Sequence, residues 1–227
     1  MDQALISLLA ASIALVGTHF AMSHPLRAQL VGALGQSGFM GVYSLVSLGC
    51  IVWMYFAFTA VEPAAPPLWA GFDTVSWGIA SALTLIAMVL YAGSMSGNPA
   101  LPAPGAEEAA QADPKGVFAV TRHPMMWGFA LWAAAHIIAA PTARTLIVAT
   151  TVLFLALVGA HMQDRKKRTL MGDAWAGWEA KTSYWPHWTK IIGAGVMPWS
   201  IGVVLWLAFS WAHIPLSGYD AGIWRWF

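Results

Sequence analysis

Six long runs of apolar residues, separated by polar segments, dominate this sequence. Most are close to the roughly 20 helical residues that cross about 30 Å of hydrocarbon, although the fourth is short. None of them alternates with the period of two that membrane strands show. The pattern therefore predicts an all-α, polytopic membrane helix bundle of about six transmembrane helices, forming one domain over residues 1–227. The predicted helices cover residues 4–22, 38–61, 74–94, 124–140, 145–162 and 192–214.

Composition supports a membrane protein with almost no soluble part. The chain is 59% hydrophobic and only 9% charged, whereas a typical soluble domain carries about 25% charged residues. Many of its 14 tryptophans stand near the ends of apolar runs, as interfacial aromatic residues do. Cys50 is the one cysteine, which excludes a disulfide within the chain and makes a cysteine metal site a poor fit. The first residues run directly into an apolar stretch, which predicts a retained helix rather than a cleaved signal peptide.

The polar connections differ in character. Residues 62–73 contain three prolines and predict a short extended loop, and residues 96–121 predict a polar, mostly irregular loop. Residues 163–190 form the most polar segment. Within it, a stretch from residue 172 onward predicts an amphipathic element on the cytoplasmic face. Three tryptophans of that stretch are expected to anchor it in the membrane interface: Trp175, Trp178 and Trp185.

Basic residues predict the orientation. If the N-terminus is outside, nine of the eleven Lys and Arg residues fall on the cytoplasmic side. This distribution predicts an integral protein of the bacterial inner membrane, with both termini periplasmic and the basic loops cytoplasmic. The block 164–168 is interpreted as the signal that stops and orients the fifth helix, or as a contact for anionic lipid or an anionic ligand. One such cluster is no basic face, so no nucleic acid is expected as a partner.

Histidines are the most informative polar residues. Of the seven, His19 and His136 lie deepest in predicted helices, and ionisable residues there are functional candidates. Two embedded imidazoles without a carboxylate or cysteine partner suit the two faces of a haem iron. Their depths differ by roughly 10 Å on straight helices, which keeps His123 and His161 as alternative ligands. Basic partners for the haem propionates are available on the cytoplasmic side: Arg27, Arg122 and Arg165.

A second feature is the sequence Thr-Arg-His-Pro-Met-Met-Trp-Gly at residues 121–128. Arg122 and His123 stand directly before a proline that fits the first turn of a helix. Helix N-termini attract anions, and arginine adds a bidentate donor for carboxylate or phosphate. Gly128, one turn inside, would let another group approach the backbone closely.

Several of these segments together resemble the NnrU family of membrane proteins, which includes the 15-cis-ζ-carotene isomerase. They are Arg122-His123-Pro124 thirteen residues before His136, His19-Phe20 with the later Leu26-Arg27, residues 38–48, and Asp164-Arg165 leading to Gly172-Asp173-Ala174-Trp175. The resemblance implies a haem b protein whose iron is held by His19 and His136. The chain departs from the isomerase branch in the spacing between His19 and Leu26-Arg27, which favours the NnrU branch.

A second resemblance competes. Arg122-His123-Pro124 with Gly128 is similar to a motif of isoprenylcysteine and phospholipid membrane methyltransferases, which bind S-adenosylmethionine there. The positions carried over are Arg122, His123, Asp164 and Glu179. The leading expectation remains an NnrU-type haem b protein. Its iron would act in electron transfer, in handling a small gas such as nitric oxide in denitrification, or as a polyene isomerase. The alternatives are an S-adenosylmethionine-dependent methyltransferase and a non-catalytic accessory protein of a respiratory enzyme. The expected partners are the lipid bilayer and a lipid-soluble molecule or gas, with protein partners unspecified.

Overall fold

The structure, a computed structural model, describes residues 2–62 and 66–227. Residue 1 and part of the predicted loop 62–73, residues 63–65, lie outside the described residues. The described chain is mostly helical and has no β-strand, so the predicted all-α class is confirmed. Its α-helices are α1 (Gln3–Ser23), α2 (Arg27–Ala60), α3 (Thr74–Gly93), α4 (Ala106–Gln111), α5 (Val117–Val120), α6 (Pro124–Ala139), α7 (Ala143–Met171), α8 (Asp173–Lys181) and α9 (Val196–Ser217). Two 3₁₀ turns cover Trp188–Ala194 and Gly222–Trp226.

Five of these helices are long and apolar enough to cross a membrane: α1, α2, α3, α7 and α9. The shorter α6 is also apolar and has 16 residues. These six helices correspond to the six predicted runs, and the prediction of a membrane helix bundle is confirmed. Many large apolar side chains lie on the outer surface, for example Leu45 and Val204. Lipid is the solvent that suits such a surface.

The chain divides into two compact units, Met1–Ala70 with Ala140–Thr151, and Gly71–Ala139 with Val152–Phe227. The single-domain interpretation stays a prediction. In the first unit α1 packs along α2. The Trp53 indole donates to the Ser7 hydroxyl at 3.0 Å, and the Arg144 guanidinium donates to the Val61 carbonyl at 3.1 Å. These polar groups on apolar helices therefore find partners on neighbouring segments, as a low-dielectric environment favours.

In the second unit α3 is central, and α6 and α9 both pack along it. Two glycines allow the close approach. A Cβ on Gly128 of α6 would lie 2.9 Å from the Ala87 carbonyl oxygen, and a Cβ on Gly202 of α9 would lie 2.8 Å from the Val89 backbone. Small residues at such contacts let membrane helices meet backbone to backbone. The group that approaches Gly128 closely is therefore the backbone of α3.

Replacing Gly202 with Ala is expected to destabilise the second unit by about 1–3 kcal/mol, because the new methyl meets backbone that cannot rotate away. Gly78→Ala is the matched control, since its added Cβ would have no heavy atom within 4 Å. That control should be neutral or slightly stabilising, because Ala is the better helix former. Unfolding in mixed detergent and SDS micelles, followed by tryptophan fluorescence, compares the two. Equal stability of both variants would contradict the close-packing account.

Two helices extend far beyond the predicted bounds. α2 begins at Arg27 rather than at residue 38, and it has a kink at Gly35, whose φ is +68°. α7 continues to Met171 instead of ending near residue 162. Hydropathy reports where a chain leaves the hydrocarbon, whereas Lys, Arg, Leu and Met continue a helix readily in water. The block 164–168 is therefore part of a helix.

The structure differs most from the predictions in two places, the irregular loop 96–121 and the interfacial tryptophans. The loop contains α4 and α5, and Val117 and Val120 are buried. Trp175 and Trp178 of α8 are 0% and 2% exposed in the same apolar core. They are not surface anchors, so that interpretation was wrong for both. Trp185, which is 66% exposed, remains available to an interface.

Candidate functional site

The turn between α5 and α6 carries the motif singled out at residues 121–123. It is held by the segment that follows α8. The Arg122 amide donates to the Ser183 carbonyl at 2.8 Å, and the Thr121 hydroxyl donates to the Tyr184 carbonyl at 2.8 Å. These bonds fix the backbone of the turn, and the side chains of Arg122 and His123 reach α7.

Asp164 on α7 is the partner of both side chains. Arg122 donates to its carboxylate through Nη2 at 2.6 Å and through Nε at 3.0 Å. His123 Nε2 lies 2.7 Å from Asp164 Oδ1. The side chains of His123 and Asp164 are 0% and 3% exposed. Because so little water reaches them, the Asp164 carboxylate depends on these two partners for compensation.

A second carboxylate extends this arrangement. Glu179 on α8 accepts two hydrogen bonds from Arg168, each 2.7 Å, and lies 3.6 Å from Arg122 Nη2. We refer to five residues as the charged cluster: Arg122, His123, Asp164, Arg168 and Glu179. Its two carboxylates balance its two guanidinium groups. In this structure, the anion attracted to Arg122 is therefore a carboxylate of the same chain.

α7 also holds the segment before α4. The Lys167 ammonium donates to the Pro99 carbonyl at 2.7 Å and to the Leu101 carbonyl at 3.3 Å. The Gln163 amide donates to the Ala100 carbonyl at 2.8 Å. Lys167 is buried. The block at 164–168 therefore stabilises packing on one side of α7, in addition to any orienting role.

His123 lies among aromatic rings and borders a small cavity. Its ring centre is 6.4 Å from that of Trp175 and 5.8 Å from that of Tyr184. Burial raises the pKa of Tyr184 above its ordinary value. His123 Nδ1 is buried without a hydrogen-bond partner in the described chain, and the adjoining cavity has a volume of about 10 Å³. Such a volume is about what one water molecule needs, far below the size of a haem.

A wider, open cavity of about 400 Å³ lies near the C-terminal end of α3. Gly93, Lys115, Phe118 and Trp178 are among the residues that line it. No histidine is among the described residues that line it, so a haem in this cavity would find no histidine ligand there.

His136, one of the two embedded histidines, lies in the last turn of α6. Its Nδ1 lies 2.8 Å from the Trp132 carbonyl, and the Trp132 ring packs at 4.1 Å between centres. His213 of α9 makes the same kind of bond, with Nδ1 2.7 Å from the Phe209 carbonyl. The two imidazole rings are 6.1 Å apart between centres. The structure thus brings together two histidines that nothing in the sequence pairs.

The other predicted ligands and basic partners belong to both units. His19 belongs to the first unit, where a ring nitrogen lies 2.8 Å from the Tyr43 hydroxyl. Arg27 is in the same unit and donates to the Gln36 amide oxygen at 3.2 Å. His161 and Arg165 are exposed on α7. No group of three or more His, Cys, Asp or Glu side chains in the described ranges could hold a metal ion.

A comparison with protein families identifies the family to which this chain belongs. The family model described as NnrU protein matches residues 7–221. The chain belongs to the NnrU family. The match includes all helices from α2 to α9, so it covers both embedded histidines and the charged cluster of this NnrU protein. Comparison with curated proteins and with solved structures gives no match.

Two residues of the NnrU chain have surroundings that could not be recognised from the sequence pattern alone. His213 stands near the end of an apolar run, as His136 does, but nothing in the sequence pairs them. Lys167 belongs to a basic block, and the sequence does not indicate which residue of that block is buried. The sequence offered one signal, for His213 only: its position on an apolar helix, where an ionisable side chain is energetically costly.

Proposed function

We propose that this NnrU-family protein is an integral membrane haem b protein in which His136 is an axial ligand of the iron. The hydrogen bond between His136 Nδ1 and the Trp132 carbonyl carries the proposal. A carbonyl can only accept, so Nδ1 bears the proton and Nε2 keeps its lone pair. A neutral imidazole whose other nitrogen is held in this way is the usual form of a histidine ligand.

The surroundings of His136 also suit an apolar, aromatic cofactor. α6 is an apolar helix, and the Trp132 ring lies 4.1 Å from the imidazole. His19 is the second ligand that the resemblance implies, and its ring contacts the Tyr43 hydroxyl. Of the basic partners considered for the propionates, Arg165 is exposed, whereas Arg122 is occupied by Asp164. When bound, the haem would supply an iron that changes redox state and can bind a small gas or a polyene.

The distribution of basic residues supports a location and an orientation for this protein. Nine of eleven Lys and Arg residues fall on one side of the six predicted helices. We therefore propose a bacterial inner membrane protein with its charged cluster toward the cytoplasm and both termini periplasmic. A reporter enzyme fused after Phe227 should be active only if it folds in the periplasm. Cytoplasmic activity of that fusion would reverse the orientation.

The absorption spectrum of detergent-purified protein, before and after dithionite, tests the haem proposal. We expect a Soret band, sharp reduced α and β bands, and about one haem per chain. His136→Ala should remove the six-coordinate, low-spin spectrum or the haem itself. His187→Ala, which removes an exposed histidine outside the predicted ligands, is the matched control and should keep the wild-type spectrum. A colourless wild-type preparation from haem-replete cells would refute the proposal.

One observation favours a second function. The four positions carried over from the membrane methyltransferases contact one another: Arg122, His123, Asp164 and Glu179. Binding of S-adenosylmethionine there would have to open the Arg122–Asp164 pair, since the adjoining cavity is only about 10 Å³. Titration of the haem-free protein with S-adenosylmethionine, using Arg122→Gln as the control, tests this function. A lack of saturable binding would exclude it.

A further inference from the structure

The open cavity near the C-terminal end of α3 has no part in the proposed haem function. Its volume of about 400 Å³ lies in the range of sites that hold a small organic molecule. Part of its wall is aromatic: Phe118 and Trp178 are buried, and their ring centres lie 5.8 Å apart in an edge-to-face arrangement. The wall is built from α3, α4, α5, α8 and α9, all in the second unit. The cavity is therefore a feature of one compact unit.

The rim of this cavity carries more positive than negative charge. Asp113 and Lys115 both line it. Asp113 is paired with Lys181 at 3.1 Å, whereas the Lys115 ammonium has no ion-pair partner in the described part of the chain. Glu107 and Glu108 of α4 are exposed and are not among the described lining residues. An anionic group in the cavity would therefore meet an ammonium group that is free to pair with it.

One edge of the cavity, formed by Ala194 and Pro198, continues into an apolar surface. Ile192, Val196 and Met197 stand next to these two residues in the chain and are 83%, 84% and 72% exposed. α9 is long and apolar enough to cross a membrane, so lipid acyl chains are the surroundings that suit these side chains. The first turn of α9 also adds the partial positive charge of a helix N-terminus. A ligand at this edge thus meets positive charge inside the cavity and hydrocarbon outside it.

We propose that this cavity binds the headgroup of an anionic phospholipid, with its phosphate at Lys115 and its acyl chains against Val196 and Met197. The chemistry recognised is a phosphate ester attached to an apolar body. Lys115 is one of the nine basic residues on the side of the helices proposed to be cytoplasmic, where anionic lipid attracts lysine. This site shares no residue with the proposed haem ligands, so either proposal can fail without the other.

Native mass spectrometry of the detergent-purified protein tests the site by counting retained lipids. The probes are phosphatidylglycerol and phosphatidylcholine with the same acyl chains. We expect the wild-type protein to retain phosphatidylglycerol in preference, and Lys115→Gln to weaken this retention about five-fold, as for one lysine near an anionic surface. Lys190→Gln is the matched control and should change nothing, since Lys190 is exposed and is not among the described lining residues. Equal retention by the two variants, or of the two lipids by the wild-type protein, overturns the proposal.

Two further variants separate the site from a general loss of folding. Lys115→Arg keeps the charge and should retain phosphatidylglycerol. Ala112→Trp, at an exposed position that lines the cavity, should exclude the headgroup although Lys115 is still present. Unchanged retention by Ala112→Trp would place the lipid elsewhere and reject this cavity as its site.

A calorimetric titration with glycerol 3-phosphate distinguishes a lipid from a soluble source of the same phosphate ester. We expect no saturable binding, because this molecule lacks the acyl chains that the apolar edge would contact. Saturable binding that is lost in Lys115→Gln would assign the cavity to a soluble phosphate ester and overturn the lipid proposal.

Discussion

Replacing Asp164 with Ala is expected to lower the free energy of unfolding by about 3–5 kcal/mol, the usual cost of removing one partner of a buried pair. The carboxylate accepts from Arg122 at 2.6 Å and lies 2.7 Å from His123 Nε2. Without it, the guanidinium would remain at 12% side-chain exposure with only Glu179, 3.6 Å away, to balance it. The imidazole would lose its one hydrogen bond through the ring. The loss combines an uncompensated charge with an unsatisfied polar group.

Asp113→Ala is the matched control for this variant. Asp113 also forms an ion pair, with Lys181 at 3.1 Å, but the two side chains are 82% and 42% exposed. Water already solvates such a pair, so its removal should change stability by less than about 1 kcal/mol. Equilibrium unfolding in mixed detergent and SDS micelles, followed by tryptophan fluorescence, measures both variants. If Asp164→Ala is no less stable than Asp113→Ala, the charged cluster does not stabilise the fold.

Trp175→Ala is expected to cost a similar amount, about 3–5 kcal/mol, because it removes the largest kind of side chain from a closed core. Trp175 is fully buried, and its core includes Val120 and Trp178. Its ring also lies beside that of His123. The cavity left behind would therefore weaken both the apolar core and the support of the charged cluster.

Trp185→Ala provides the contrast, since this tryptophan is 66% exposed. Substitutions at such positions usually change stability by no more than about 0.5 kcal/mol. Trp175→Phe should lie between the two variants: it loses volume but also removes an indole N–H that is buried without a partner in the described chain. The same unfolding measurement applies to all three. Equal losses for Trp175→Ala and Trp185→Ala would favour the interfacial role predicted for both residues.

Much of the membrane architecture could be predicted because it depends on local properties of the chain. A run of about 20 apolar residues must be helical in lipid, whatever its neighbours are. The predicted helix 124–140 agrees with α6 to within one residue at Ala139. The predicted helix bounds were wrong at the start of α2 and the end of α7, because each helix continues beyond the apolar run that hydropathy detects. Side-chain burial in the polar segments was also mispredicted. Trp175 and Trp185 are the same residue type in one polar segment, so no local property of the sequence distinguishes the buried tryptophan from the exposed one.

The sequence by itself determined that this is an all-α membrane protein, and it singled out His136, Arg122 and His123 as polar residues that need an explanation. Only the tertiary structure showed that Asp164, about forty positions later in the chain, lies within hydrogen-bond distance of both Arg122 and His123. It likewise showed that His213 faces His136. Helix packing sets these pairs through close contacts such as the one between Gly202 and Val89. Apolar helices carry little information about their neighbours, because lipid and another helix solvate an apolar face almost equally well.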